Sequence, residues 1–582
     1  MRALFFVAIC SCFCAACGSS NSGGELVSIR VEPANATITV ENNPVTLDYT
    51  AIGVFGDGHE EPLPNAVFAL DGDGMLLGDF TSAQFEAHGL AAGKGGVVAT
   101  LGSTSGGTSV IVAVHPVRLG EGVPPGAAGN FGETPPTGAF SQTVVYPLDG
   151  AVMPTSVKSP HVQWEGMTSN GDLYRVRLTA GFATVDTILA ASSAGFNFAS
   201  QLSVADWRLI VTAGGSIKVS VDHWDPTNGA HGGAPVFVKM INADITGAIY
   251  YWNLIQGQME RIDAAGRAVA IPAPPPSANG TRCIACHTVS RDGRFLAGAI
   301  GDAGGQAAVF DMSDPAVRTA DPAPTLSPVT STSYRALFST FNEDATRLLL
   351  NADNRMTLID PRNGTSVAVN GTPLPAARAS HPAWSPDGTS VVFVNNIRNG
   401  ADTTTWAVDY THGDLQIIPT SANDTFGAPV NLVTSGDPAF TAPSWPSFAP
   451  DSKWIAYGAG AFSRGKSGPT EHPGSLFIVD KTVGTPQRLD IACGGARRCY
   501  LPNFSPYDAG GYFWLVHYSF RDYGNAQAGT KNTGRRQMWI TAIDKAKLAS
   551  GGDPSSVSYW VPDQDRLTEN MSAFWAPPAP LQ

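Results

Sequence analysis

Three residues with distinctive chemistry stand together in "CIACHTVSRDGRFLA": Cys283, Cys286 and His287. Cys-x-x-Cys-His is the spacing of a c-type haem attachment site. Two thiols bond to the haem vinyl groups, and the adjacent imidazole ligates the iron. The same residues admit other chemistry: a local redox disulfide, a cross-link to Cys493 or Cys499, or a zinc site. Zinc needs a fourth N, S or O donor beside these three, and no second Cys/His pair stands at finger spacing.

The residues that follow raise a structural question. "SRDGRFLA" reads as a turn entering a β-strand, with no helical pattern and no methionine in a distal setting. A sixth iron ligand would come from elsewhere on the same rim, with His381 and Met571 as the candidates beside water. The plain role of His381 is to cap a strand before Pro382, and the plain role of Met571 is packing.

The rest of the chain must position this motif. It has 582 residues, 63 Gly, 43 Pro and only 15% charged residues, a balance that favours turns and short strands. Short runs alternate apolar and polar residues, and few segments sustain helical periodicity, so the expected class is all-β over several domains. Net charge is −13 with no basic patch, which excludes phosphate-backbone binding and leaves nucleic acid off the list of partners.

The first 17 residues, "MRALFFVAICSCFCAAC", read as an export signal too short to span a bilayer. "CAAC" followed by Gly-Ser-Ser resembles a bacterial lipoprotein cleavage box, with Cys17 as the lipidated residue and Cys14 departing from the usual Leu. Residues 18–24 then form a tether. The resemblance implies a membrane partner through the lipid and a place in the cell envelope, as an outer-membrane lipoprotein facing the periplasm or the cell surface. Export leaves four cysteines where disulfides persist. "CGGARRC" closes a short loop, so a Cys493–Cys499 disulfide is expected.

Residues 25–118 hold short β runs such as "LVSIRVEPANATITV" and "YTAIGVFGDG". They resemble a bacterial Ig-like domain, which implies a β-sandwich. "DGDG" at 71–74 lacks the spaced ligands of a calcium loop and reads as a tight turn. Residues 119–143 are a Pro/Gly linker. Residues 144–246, including "HVQWEG", "LYRVRLTAG" and "WRLIVTAGGSIKVSVDHWD", resemble a fibronectin type III-like or Ig-like sandwich.

An internal repeat governs residues 247–582. Copies start at Cys286 ("CHTVSRDGRFLAGA"), Phe338 ("FSTFNEDATRLLLN"), His381 ("HPAWSPDGTSVVFV"), Trp445 ("WPSFAPDSKWIAYG"), Leu501 ("LPNFSPYDAGGYFWLV") and Ser572 ("SAFWAPPAP"). The "W-S-P-D-G" pattern resembles TolB-like β-propellers. That resemblance implies a six-bladed propeller, with the start of each copy near the central axis. The last copy has room for one strand only, so residues 247–272 are expected to supply its remaining strands. The repeat aspartates Asp292, Asp344, Asp387 and Asp451 are expected to hold turns rather than to act as catalytic pairs.

No G-x-S-x-G, H-E-x-x-H or P-loop occurs, and no G-x-G-x-x-G stands in strand–helix context, so the chain is not expected to be an enzyme. Two functions remain. One is a propeller carrying one covalent haem c through Cys283, Cys286 and His287, for electron transfer or redox sensing with a redox partner. The other is a haem-free scaffold whose propeller mouth recruits an envelope protein or glycan.

Overall fold

The computed structural model describes residues 24–577, except 73, 246, 264, 270–271, 327–334, 401–407, 435–436, 465–473 and 496–497. Residues 1–17, expected above to be an export signal, lie outside the described residues. Strands hold 50% of the described residues and helices 6%, which is the mostly β character the composition implies. The chain divides into two compact units, Met1–His115 and Pro116–Gln582.

In the first unit, Leu26–Glu32 pairs antiparallel with Thr50–Phe55. Gly93–Leu101 pairs antiparallel with Thr104–Val114, and Ala36–Val40 lies parallel to the end of that strand. Alternate residues Val110, Val112 and Val114 are buried, as a strand with one inward face requires. Gly106 is dictated by contact: a Cβ there would strike the Ile29 carbonyl oxygen. "DGDG" leads into a single 3-10 turn, Gly74–Leu76, with Asp71 Oδ1 accepting from Gly74 N at 2.8 Å.

The second unit begins slightly earlier than residue 119. Val117–Leu119 pairs parallel with Ala183–Ala190 in this unit. The Pro/Gly stretch 119–143 does more than connect. Phe131 is 2% exposed and packs with Leu173, Ile188 and Ala190. Arg175 lies over its ring, donates to the Gly132 carbonyl at 2.7 Å and pairs with buried Asp222 at 2.6 Å.

One expectation in this region is corrected. "VADWRLIVT", read above within a β run, is an α-helix, Val204–Thr212. The Ser203 hydroxyl accepts from Asp206 N at 3.1 Å, so Ser-x-x-Asp caps the first turn. Trp207, Leu209, Ile210 and Val211 are buried. Local capping thus outweighed the β-propensity of the Ile-Val-Thr run.

Among the described residues six small sheets follow, antiparallel apart from the short pairing of Asn370–Gly371 with Thr425–Phe426, consistent with the blades of a propeller. The first four start with Ile284–Val289, Phe338–Phe341, Ser380–Trp384 and Ala442–Phe448; the fifth and sixth start with Cys499–Ala509 and Asn570–Ala576. Each first strand touches the next, and Asn570–Ala576 touches Ile284–Val289, so the ring closes. The sixth sheet is built from both ends of this region: Asn570–Ala576 pairs with Ala248–Asn253, which pairs with Gln258–Asp263. The repeat aspartates hold turns. Asp292 Oδ1 accepts from Arg294 N at 3.0 Å, and Asp387 Oδ1 accepts from Thr389 N at 3.0 Å.

The 144–246 region is fastened to the fifth sheet. Tyr146 packs with Tyr523, Trp539 and Trp560, and Gln163 Oε1 accepts from Asn525 N at 3.0 Å.

Candidate functional site

The six repeat starts meet at the ring axis. Five of them hold a left-handed backbone without being glycine: Cys286 (φ 48°), His381 (47°), Trp445 (48°), Leu501 (51°) and Ser572 (54°). Each sits in a break of register, between Ala285 and Thr288 in the first sheet and between Ser380 and Ala383 in the third. A left-handed L-residue costs roughly 1–2 kcal/mol. A bulge re-aims a side chain that a regular strand would point elsewhere. Here the re-aimed side chains line one axial cavity of about 360 Å³.

That geometry resolves the conflict between the Cys-x-x-Cys-His spacing and a β-strand. Residues three apart on a regular strand face opposite ways. The left-handed Cys286 breaks the alternation, and Cys283, Cys286 and His287 all line the cavity. Phe338, His381 and Trp445 form its aromatic wall, with ring centroids 4.0 Å apart for Phe338–His381 and 3.9 Å for His381–Trp445.

The cysteines and histidines of the cavity carry no charge at neutral pH, although Arg464 and Asp302 also line it. Burial pushes the Cys286 thiol up to about 12, against the opposing pull of Arg464. Burial also raises Cys283, with Asp302 adding to it. His287 is held down to about 4 by burial, with a hydrogen bond to the Tyr250 backbone acting the other way. Burial, then Arg464, keeps His381 well below its usual value. Both thiols are therefore protonated and both imidazoles neutral.

These shifts set a pH dependence. In the haem-free protein the unfolded imidazoles take up protons near pH 6.5, while His287 resists until about 4. The unfolded state binds more protons in that window, so stability falls with falling pH. Melting temperature should be level above about pH 6.5 and drop towards pH 4. His287→Leu should flatten that slope relative to the parent; an unchanged slope would remove this account of the buried ring.

His287 fits a haem's requirement at one ring nitrogen. The Tyr250 backbone bond favours the protonated ring, so the ring donates to the carbonyl there. Nε2 is buried and has no partner. A ligating histidine carries the same arrangement, one nitrogen held by a carbonyl and the other free. Nε2 is also enclosed by protein atoms, so ligation requires it to be uncovered. Among the described residues, no three or more His, Cys, Asp or Glu side chains are gathered to hold a bare metal ion. The zinc alternative therefore finds no donor set there.

The remaining sequence candidates are also placed. Met571 is buried among Tyr500, Leu501 and Phe520, and its sulfur accepts from Arg536 Nη1 at 3.6 Å. Cys493 and Cys499 are buried, lie within hydrogen-bonding reach of each other and carry free thiols. Burial drives the Cys493 thiol upward. His517 contacts Ser558 Oγ through Nε2 at 3.1 Å, away from the axial cavity. Tyr410 and Arg464, which surround His381, carried no repeat signal that singled them out.

No family model matches the chain, and no curated protein matches it. Distant structural matches are to β-propeller proteins. A putative TolB from Agrobacterium tumefaciens is 14% identical over 52% of this chain and 68% of that one, with a TM-score of 0.24. A nidogen/laminin complex gives 8% identity over 57% and 98%, with a TM-score of 0.34. The Cps50 (Swd1) β-propeller domain of Myceliophteria thermophila gives 10% over 47% and 70%, with a TM-score of 0.28. At these scores the likeness carries no weight beyond itself, and the architecture rests on the strand pairing described above.

Proposed function

We propose that this chain is an exported cell-envelope protein, lipid-anchored at Cys17. Ig-like and fibronectin-like sandwiches at 25–118 and 144–246 precede a six-bladed TolB-like propeller. The propeller carries one covalent haem c for electron transfer or redox sensing and is not an enzyme. The observation that carries this reading is the convergence of Cys283, Cys286 and His287 on one axial cavity, with His287 Nε2 unpartnered.

In this reading each thiol would add across a vinyl group, sulfur to one carbon and hydrogen to the other, with no net oxidation. His287 would hold the iron through Nε2 once that atom is uncovered, its other nitrogen held by the Tyr250 carbonyl. Phe338, His381 and Trp445 limit water at the cavity wall. A bound haem supplies a one-electron couple to a redox partner in the envelope. The test is the pyridine haemochrome spectrum of protein made in an exporting host with haem-attachment machinery. A c-type spectrum at one haem per chain supports the reading. Its absence overturns it in favour of a haem-free scaffold that recruits a protein or glycan.

In the oxidising envelope, Cys493 and Cys499 become a disulfide. In the chain-entropy picture a loop this short adds about 2 kcal/mol. Thiol labelling of the unfolded, unreduced protein should find neither cysteine reactive, and reductant should lower the melting temperature by a few degrees. Labelling of both would remove the disulfide.

A further inference from the structure

Tyr457, Phe477 and Arg488 stand opposite one another on three adjacent strands of the fourth sheet, Trp454–Gly460, Gly474–Asp480 and Val483–Arg488. Directly paired residues share a face, so the three side chains form one row. The last strand of the third sheet, Val430–Thr434, packs beside Val483–Arg488, so close at Gly484 that a Cβ there would strike the Leu432 carbonyl oxygen. Next to that contact lies a cleft of about 700 Å³, lined by the row and by Val433 and Thr434. No residue lines both this cleft and the axial cavity.

The floor of the cleft is aromatic. Phe477 stacks on Tyr457, with ring centroids 5.4 Å apart at 17°, and meets Phe440 edge-on at 5.1 Å and 75°. Tyr457 is 3% exposed, yet its hydroxyl makes no hydrogen bond among the described residues, and burial pushes the phenol upward. A buried hydroxyl is nearly always bonded. The packing does not call for this one: Phe393 stands six residues after Asp387, as Tyr457 stands six after Asp451, and Phe393 is fully buried without a hydroxyl. The rim is charged. Arg488 lies over the Phe440 ring at 5.8 Å and donates to Asp490 at 2.7 Å, with Asp437 adding its charge to the pair. Among the described lining residues three carboxylates, Asp437, Asp490 and Asp553, stand against one cation, Arg488.

These features select a ligand by exclusion and by fit. The surplus of negative charge repels phosphates and carboxylates. The place where an organic cation would stack, over Phe440, is held by Arg488. A neutral ligand remains, with an apolar face for the aromatic floor and groups that both donate and accept, to meet Arg488, Asp490 and the Tyr457 hydroxyl. The hydroxyls of a sugar ring do both, and its C–H face is apolar. We propose that the cleft between the third and fourth sheets binds a neutral pyranose sugar, with its C–H face on the aromatic floor, one hydroxyl on Tyr457 and its neighbours on Asp490 and Arg488. This site does not depend on the haem reading, because it shares no residue with the axial cavity.

The test uses the full-length protein and saturation-transfer NMR with the methyl glycosides of glucose, galactose, mannose and N-acetylglucosamine, beside glucuronic acid and choline. A neutral glycoside should take up saturation, most strongly at its ring protons, and glucuronic acid and choline should take up none. Tyr457→Phe puts at 457 the residue the third sheet already carries at 393. It should keep the parent's melting temperature and weaken that binding about 3- to 10-fold, the loss of one hydrogen bond. Arg488→Gln should weaken it at least as much. Transfer to none of the neutral glycosides, stronger transfer to choline or glucuronic acid, or an unchanged affinity in either folded variant overturns the proposal.

Discussion

A chain ending at Asn570 should fail to fold cooperatively between residues 247 and 570. The cut removes all but the first residue of Asn570–Ala576, the innermost strand of the sixth sheet, which joins Cys499–Ala509 to Ile284–Val289 around the ring. Its loss would expose Ala248–Asn253 as an unpaired edge, with Tyr250 and Tyr251 buried at 1% and 0% in the parent. It would also remove Trp575, 5% exposed, and Met571, 8% exposed. Truncating one buried aromatic costs about 3–5 kcal/mol, and whole domains are stable by about 5–15 kcal/mol. Losing the strand therefore spends most or all of that margin. Trp575→Ala is the graded form and should lower stability by about 3–5 kcal/mol in denaturant titration. An unchanged melting curve for the truncated chain would refute closure by this strand.

The second large effect is on the cofactor. Cys283→Ala combined with Cys286→Ala should remove all covalent haem and leave the fold intact. Neither thiol holds the ring together: the positions equivalent to Cys286 carry Phe, His, Trp, Leu and Ser. Removing the side chain of Cys286 should cost only about 1–2 kcal/mol. Either single variant keeps one thiol and should keep haem through denaturation, attached at one point. His287→Ala should retain covalent haem and change the iron's spectrum. Covalent haem in the double variant would separate the cofactor from this motif altogether.

Much of the ring was legible before the structure because the repeat reports local events. A turn aspartate and a following apolar strand recur in every copy but the short last one, and an aromatic stands at the centre of every copy but the first, which has Val289. Those features act within a few residues, and the sheets start where the copies start. The missing strands of the short last copy likewise had one source, the strand–turn–strand run before Cys283. What could not be read depends on contacts between distant residues. The left-handed turn at Cys286 and its counterparts is set by how neighbouring strands pack around the axis, not by residue type, since Cys, His, Trp, Leu and Ser all adopt it. The packing of His381 depends on Tyr410 and Trp445, 29 and 64 positions further along the chain. The packing of 119–143 depends on Arg175 and Asp222. The helix at Val204–Thr212 is different: its Ser-x-x-Asp cap was visible, and the β-branched residues behind it drew the reading towards a strand.

The intact mass of the full-length protein, measured under denaturing conditions after export from a host with haem-attachment machinery, tests the central claim most directly. The account predicts the mature polypeptide plus one haem, with Cys283 and Cys286 both closed to thiol reagents. A mass equal to the bare polypeptide, with those two cysteines free or oxidised to each other, would contradict it.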